Sequence, residues 1–341
     1  MKYNKGLHRF SFFTVACTFL LIIAGGLVTS TGSSLAVPDW PLAYGMIMPP
    51  MVGGILYEHG HRMLATFVGL LTIVLSVWLW KKEERRWLKI LGIVALGAVI
   101  TQGLLGGLTV VFLLPTAISV SHAALAQTFF AIVASIALFT SQWWQSDYPR
   151  LTSNGSLATL RLSFFTTLAV YIQLIFGALM RHTGSGLVVP DFPMAYGQLF
   201  PSLGAESLAR YNHDLIYSDI RLFADGAVTS SQIVIHMLHR IWAVVVAVMI
   251  VALSANLLRS SNLTSRIKRF AYALPFLLIV QITLGAYTVL SRKAVDVTTA
   301  HVATGALILA TCLLVFLHLV RVYQVRFKKF SFDYSTERAI A

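Results

Sequence analysis

Residues 25–45 read GGLVTSTGSSLAVPDWPLAYG, and residues 177–197 read GALMRHTGSGLVVPDFPMAYG. At a shift of 152, 13 of these 21 positions are identical without a gap. Both copies carry Pro-Asp-aromatic-Pro, at Pro38–Pro41 and Pro190–Pro193. Convergence on such a string is improbable, so the sequence reads as an internal duplication. The match continues at a shift of 179, where Gln102, Leu105, Gly106, Thr109 and Val110 meet Gln281, Leu284, Gly285, Thr288 and Val289. The growth of the shift marks an insertion in an outer loop of the second half, roughly residues 198–230. The halves are residues 1–150 and 151–341.

The flanks of the repeated string are apolar. Of the 341 residues, 57% are apolar and 11% charged. A soluble domain carries roughly 25% charged residues, so a soluble enzyme and a disordered chain are both excluded. A membrane helix needs ~20 apolar residues. Eight segments qualify, near 10–29, 60–80, 89–112, 119–141, 162–180, 231–258, 270–290 and 297–320. The predicted fold is an all-α integral membrane protein, its eight transmembrane helices forming two pseudo-symmetric four-helix bundles. Four is an even number, so both halves share one orientation, a parallel repeat. The first segment follows Lys2, Lys5 and Arg9 like a signal peptide, but it is long, lacks an A-x-A site and recurs mid-chain, so no cleavage is expected.

The net charge of +13 would suggest nucleic acid in a soluble protein. Here the basic residues mark topology. With the N-terminus in the cytoplasm, 19 of the 26 Lys and Arg fall inside. The positive-inside rule then puts both termini in the cytoplasm. No nucleic-acid partner is expected, and a bacterial plasma membrane is favoured over an organelle. Cys17 and Cys312 sit in apolar runs, and neither C-x-x-C nor C-x-x-C-H occurs, so zinc knuckles and covalent haem attachment have no support.

An ionisable side chain in a bilayer is expensive and functional by default. Of the ten histidines, the repeat selects four. His61 aligns with His239, each followed by an arginine, Arg62 and Arg240. His122 aligns with His301. His61, His239 and His301 each stand 20 residues from an inner basic residue, Lys81, Arg259 and Arg321. At 1.5 Å per residue this depth is ~30 Å above the inner face, and His122 matches it. Paired histidines at equal depth on neighbouring helices suit bis-imidazole ligation of a haem iron. One position breaks the repeat. Glu58 stands three residues before His61, on the same helix face, where the second half has His236. A carboxylate there can act as a base, a proton acceptor or a cation stabiliser. Arg62 and Arg240 are candidates for haem propionates. Gln102 and Gln281 are candidates for bridging helices or orienting a ligand. Asp39 and Asp191 read as turn formers in a loop over the pocket.

Glu58-x-x-His61-Arg62 with His122, then His239-Arg240 with His301, on eight helices in two similar halves, resembles the heme A synthase family over essentially the whole chain. The resemblance implies an oxidoreductase that converts the C8 methyl group of heme O to the formyl group of heme A, the cofactor of terminal oxidases. Two hydroxylations would give a geminal diol, which loses water. It implies that His61 and His122 ligate the substrate heme O iron, with Glu58 the catalytic carboxylate beside it. It also implies a haem b cofactor held by His239 and His301. Heme O synthase is the implied substrate donor, with an electron acceptor yet to be identified, membrane lipid around the chain, and a homo-oligomer compatible with the apolar exterior. Some members carry a cysteine pair in the first outer loop; residues 30–57 have none. A di-haem b electron carrier and a non-catalytic haem carrier are the alternatives, and product analysis separates them.

Overall fold

The computed structural model describes residues 3–146, 156–217, 227–260 and 263–323. The first half holds α1 (Lys5–Ser30), α2 (Gly54–Lys82), α3 (Arg86–Val111), α4 (Thr116–Phe139) and the one-turn α5 (Gln142–Gln145). The second holds α6 (Ser156–His182), α7 (Ala205–Tyr217), α8 (Ser230–Arg259), α9 (Ser265–Leu290) and α10 (Val295–Tyr323). Among the described residues, eight helices are long and apolar enough to cross a membrane. The chain is thus an all-α protein with a multi-span membrane fold. Backbone amides cannot be left unpaired in hydrocarbon, so runs of this length become helices. Their ends follow local chemistry. Asn4 caps α1 by accepting from the Leu7 N–H, and Thr229 with Gln232 forms a capping box on α8.

In sequence order α1, α2, α3 and α4 pack each against the next, and α4 closes back on α1. Likewise α6, α8, α9 and α10 pack in order, and α10 closes on α6. The two groups meet where α1 touches α10, α4 touches α6, and α10 touches α4. One apolar core, with Leu75, Leu79, Leu88, Phe130 and Ile136, fills the first group. Another, with Ile250, Leu253, Leu257, Ile267 and Leu274, fills the second. The outward faces stay apolar, as at Phe12, Leu70, Val244 and Tyr272, because their solvent is lipid. At one end of the seam Arg181 on α6 donates to the hydroxyls of Thr29 and Ser30 on α1. His318 on α10 is buried and stacked on Trp143 with ring centroids 4.3 Å apart.

The two repeated strings fold alike. After α1 and after α6 the chain passes through a left-handed glycine, Gly32 or Gly184. It then runs through a cis Trp40–Pro41 or Phe192–Pro193 bond to a tight turn. There Tyr44 and Gly45, or Tyr196 and Gly197, have positive φ. Paired backbone bonds close each turn, Ala43 with Met46 and Ala195 with Gln198. The loops differ in what covers them. In the second, α7 lies over the turn and the Tyr211 ring stacks on Tyr196, centroids 3.7 Å apart. Val188, Val189, Ala195, Tyr211, Leu215, Val228 and Ile233 form a separate small core there. In the first, Tyr44 is half exposed and Ile47 is 84% exposed.

Candidate functional site

Each long histidine of the repeat lies against a glycine on the preceding long helix. A Cβ added at Gly25 would fall 3.1 Å from His61 Cε1, and one at Gly106 would fall 3.2 Å from His122 Cε1. The corresponding figures are 3.3 Å for Gly177 and His239, and 2.9 Å for Gly285 and His301. The glycines leave room for an imidazole between two helices. Within each half the two rings lie in electrostatic range of one another, His61 with His122 and His239 with His301. The structure therefore brings together the histidine pairs that the sequence selects.

What holds the rings differs. One turn before three of the glycines stands a glutamine. Gln102 Nε2 lies 3.3 Å from His122 Nε2 and donates to the His122 carbonyl. Gln173 Nε2 lies 3.2 Å from both ring nitrogens of His239 and donates to its carbonyl. Gln281 Nε2 lies 3.5 Å from His301 Nε2, while the other ring nitrogen, Nδ1, meets the Gln281 carbonyl at 3.2 Å. Gln173 escaped the pairwise alignment because the first half has Leu21 there. The Gln-x-x-x-Gly spacing, present three times, is the signal that finds it. Buried ring nitrogens without a partner occur at His61 Nδ1 and His122 Nδ1, and at both nitrogens of His59, but not at His239 or His301.

This corrects one expectation. Among the described residues no group of three or more His, Cys, Asp or Glu comes together to hold a metal ion. Both nitrogens of His239 and of His301 are engaged by a glutamine. On that ground the haem b cofactor expected between these two residues is not supported among the described residues.

Glu58 is buried on α2, its side chain 5% exposed. Its Oε2 accepts the Val37 N–H at 2.8 Å, and its Oε1 accepts from Arg62 Nη2 at 2.7 Å. Arg62 also donates to the carbonyls of Val37, Asp39 and Leu42. Together Glu58 and Arg62 clasp the first loop from below. In the second half His236 Nδ1 meets the Ser185 carbonyl at 2.8 Å. Arg240 donates to the carbonyls of Val189, Asp191 and Met194. Both arginines thus direct most of their N–H groups to the loops. Asp39 accepts from the Tyr44 and Gly45 amides, the turn role expected. Those two N–H donors hold its carboxyl below the ordinary value of 3.8.

Trp40 of the first loop reaches α3. A Cβ at Gly107 would meet its indole at 2.6 Å, too close for any relaxed contact. The second half has Phe192 and Ala286 at the corresponding positions, a smaller ring facing a larger neighbour. Gly107→Ala is expected to dislodge Trp40 and speed proteolysis of residues 33–52. Adding Trp40→Phe should restore the native cleavage rate, and no recovery would mean that the volume exchange is coincidental.

The sequence pattern of the COX15-CtaA family, cytochrome oxidase assembly protein, matches residues 53–313. The chain belongs to the heme A synthase family. It is 30% identical over 224 residues to a heme A synthase of Alkalihalophilus pseudofirmus, covering 64% of this chain and 74% of the relative. With a heme A synthase of Shouchella clausii it shares 29% over 211 residues, 60% and 69% of the two chains. With one of Bacillus licheniformis it shares 30% over 198 residues, 56% and 64%. The span matched by the heme A synthase family pattern contains Glu58, both histidine pairs and their three glutamines.

Proposed function

We propose that the chain oxidises the C8 methyl group of heme O to the formyl group of heme A, in the pocket of its first half. The observation that carries this reading is the contrast between the halves. His61 and His122 keep unpartnered buried ring nitrogens, a donor set that suits the two axial positions of the substrate's iron. Glu58 lies one turn from His61 on the same face, where the second half has a histidine. Its carboxylate is held on two sides, so it meets the substrate without reorganising. Converting methyl to formyl removes four electrons in two steps. The porphyrin carries the redox chemistry, and the electrons leave to an acceptor outside this chain. The chain's own residues orient the ring, exclude water through the first loop and accept protons at the Glu58 carboxylate.

The arrangement in the membrane follows the same reading. The two groups of four helices are pseudo-symmetric bundles with both termini cytoplasmic, in a bacterial plasma membrane. The recurring backbone turns and the distribution of Lys and Arg support this. The pocket then opens toward the outer leaflet, where heme O synthase would deliver a lipid-soluble substrate. A homo-oligomer is compatible with the apolar exterior.

The test is product analysis. Expressed with a supply of heme O, the chain should yield heme A, seen in extracted porphyrins by chromatography and mass. Binding of heme O with no change in its mass would favour a carrier instead.

A further inference from the structure

Four helix pairs carry the same device, an imidazole seated on a glycine of the neighbouring helix. Three of the four add a glutamine one turn before that glycine, Gln102, Gln173 and Gln281. The fourth has Leu21 at the same spacing from Gly25. Leu21 is partly buried against the first-half core and offers no donor. Among the described residues, His61 makes no hydrogen bond, whereas His122, His239 and His301 are each in contact with a glutamine. One of the four imidazoles therefore lacks a hydrogen-bonding partner while three are in contact with a glutamine.

We propose that His61 is the exchangeable ligand: the substrate's iron is taken up and released at His61, with His122 fixed by Gln102, and Leu21 is the residue that keeps His61 free. This rests on the reading above that the first half binds heme O. A substrate that must arrive and leave as another molecule needs one axial bond that yields. A clamp on His61 as well would take away the bond that yields. If both imidazoles were free, the porphyrin ring would lose its orientation toward Glu58. One clamp and one free ring satisfy both needs. The loop above His61 fits this division, because it lacks the helix that covers its counterpart.

Leu21 and Gln102 are positioning residues, so the readout is ligand release and spectrum rather than turnover alone. The full chain is purified in detergent and loaded with heme O. The low-spin absorption of bis-imidazole iron is recorded, and release is timed by transfer to excess apomyoglobin. Leu21→Gln should keep the low-spin spectrum and slow release about three- to tenfold, the scale of one net hydrogen bond. Gln102→Leu should speed release by a similar factor. Leu21→Met, which adds no donor, should match the native rate and controls for packing. A well-folded Leu21→Gln variant that releases heme O at the native rate would overturn the assignment, as would native release from Gln102→Leu. Failure of the native chain to form a low-spin complex would instead overturn the binding reading itself, and this proposal with it.

Discussion

Glu58→Gln is expected to retain heme O and to lose formyl product by ~10²–10⁴-fold, the range typical of a positioned acid or base. The amide is nearly the same size, and its oxygen can still accept the Val37 N–H that Oε2 accepts now. What it loses is the charge opposite Arg62 and the capacity to take a proton. Glu58→Asp separates these contributions. It keeps the charge but draws it back along the side chain, away from Val37 and Arg62. If catalysis needs only a negative charge in the pocket, Glu58→Asp retains most activity. If it needs the carboxylate where two contacts now hold it, Glu58→Asp falls nearly as far as Glu58→Gln. Abundant heme A from both variants, by chromatography of extracted porphyrins, would remove Glu58 from the chemistry.

Arg62→Ala should produce the largest loss of stability. The ion pair is well shielded, with side-chain exposures of 16% and 5%. Removing one partner of a buried pair leaves the other charge uncompensated, at ~3–5 kcal/mol. The same change withdraws the donors from the Val37, Asp39 and Leu42 carbonyls, so the first loop loses its anchor from α2. Thermal aggregation in detergent should begin at a lower temperature, and cleavage in the first loop should speed up. The double variant Glu58→Gln with Arg62→Ala removes the stranded charge. It should be more stable than the sum of the two single changes, the signature of direct coupling. Simple additivity would place the cost of Arg62→Ala in the loop contacts alone.

The sequence made much of this visible because membrane helices and close repeats are strong signals. The eight apolar segments became eight long helices, though at Gly54 and Ser265 the helices begin five or six residues before the apolar runs. Glu58 and the four histidines stood out because a charged or polar group in hydrocarbon needs a reason. The arginines were also visible, but not their partners. A loop carbonyl has no signature in sequence, so the clasp of Arg62 on residues 37–42 appears only in three dimensions. Gln173 was hidden for another reason. The repeat was read in halves, where Gln173 faces Leu21 and the match fails. Read as helix pairs, the same residue completes a set of three. The second-half haem b was implied by the family resemblance, and the resemblance did not report that glutamines engage His239 and His301.

The stacking of Tyr211 on Tyr196 has a thermodynamic consequence for the outer surface. The turns at Ala43–Met46 and Ala195–Gln198 have the same hydrogen bonds and nearly the same sequence, so they form an internal comparison. Opening the second means disrupting seven buried side chains drawn from residues 188–233. Opening the first means little more than parting its contacts with α2 and drawing Trp40 off α3. Two copies of one ancestral turn therefore sit at different rungs of the local-unfolding ladder. Amide exchange at Met46 should run well ahead of exchange at Gln198, on a molecule that serves as its own control.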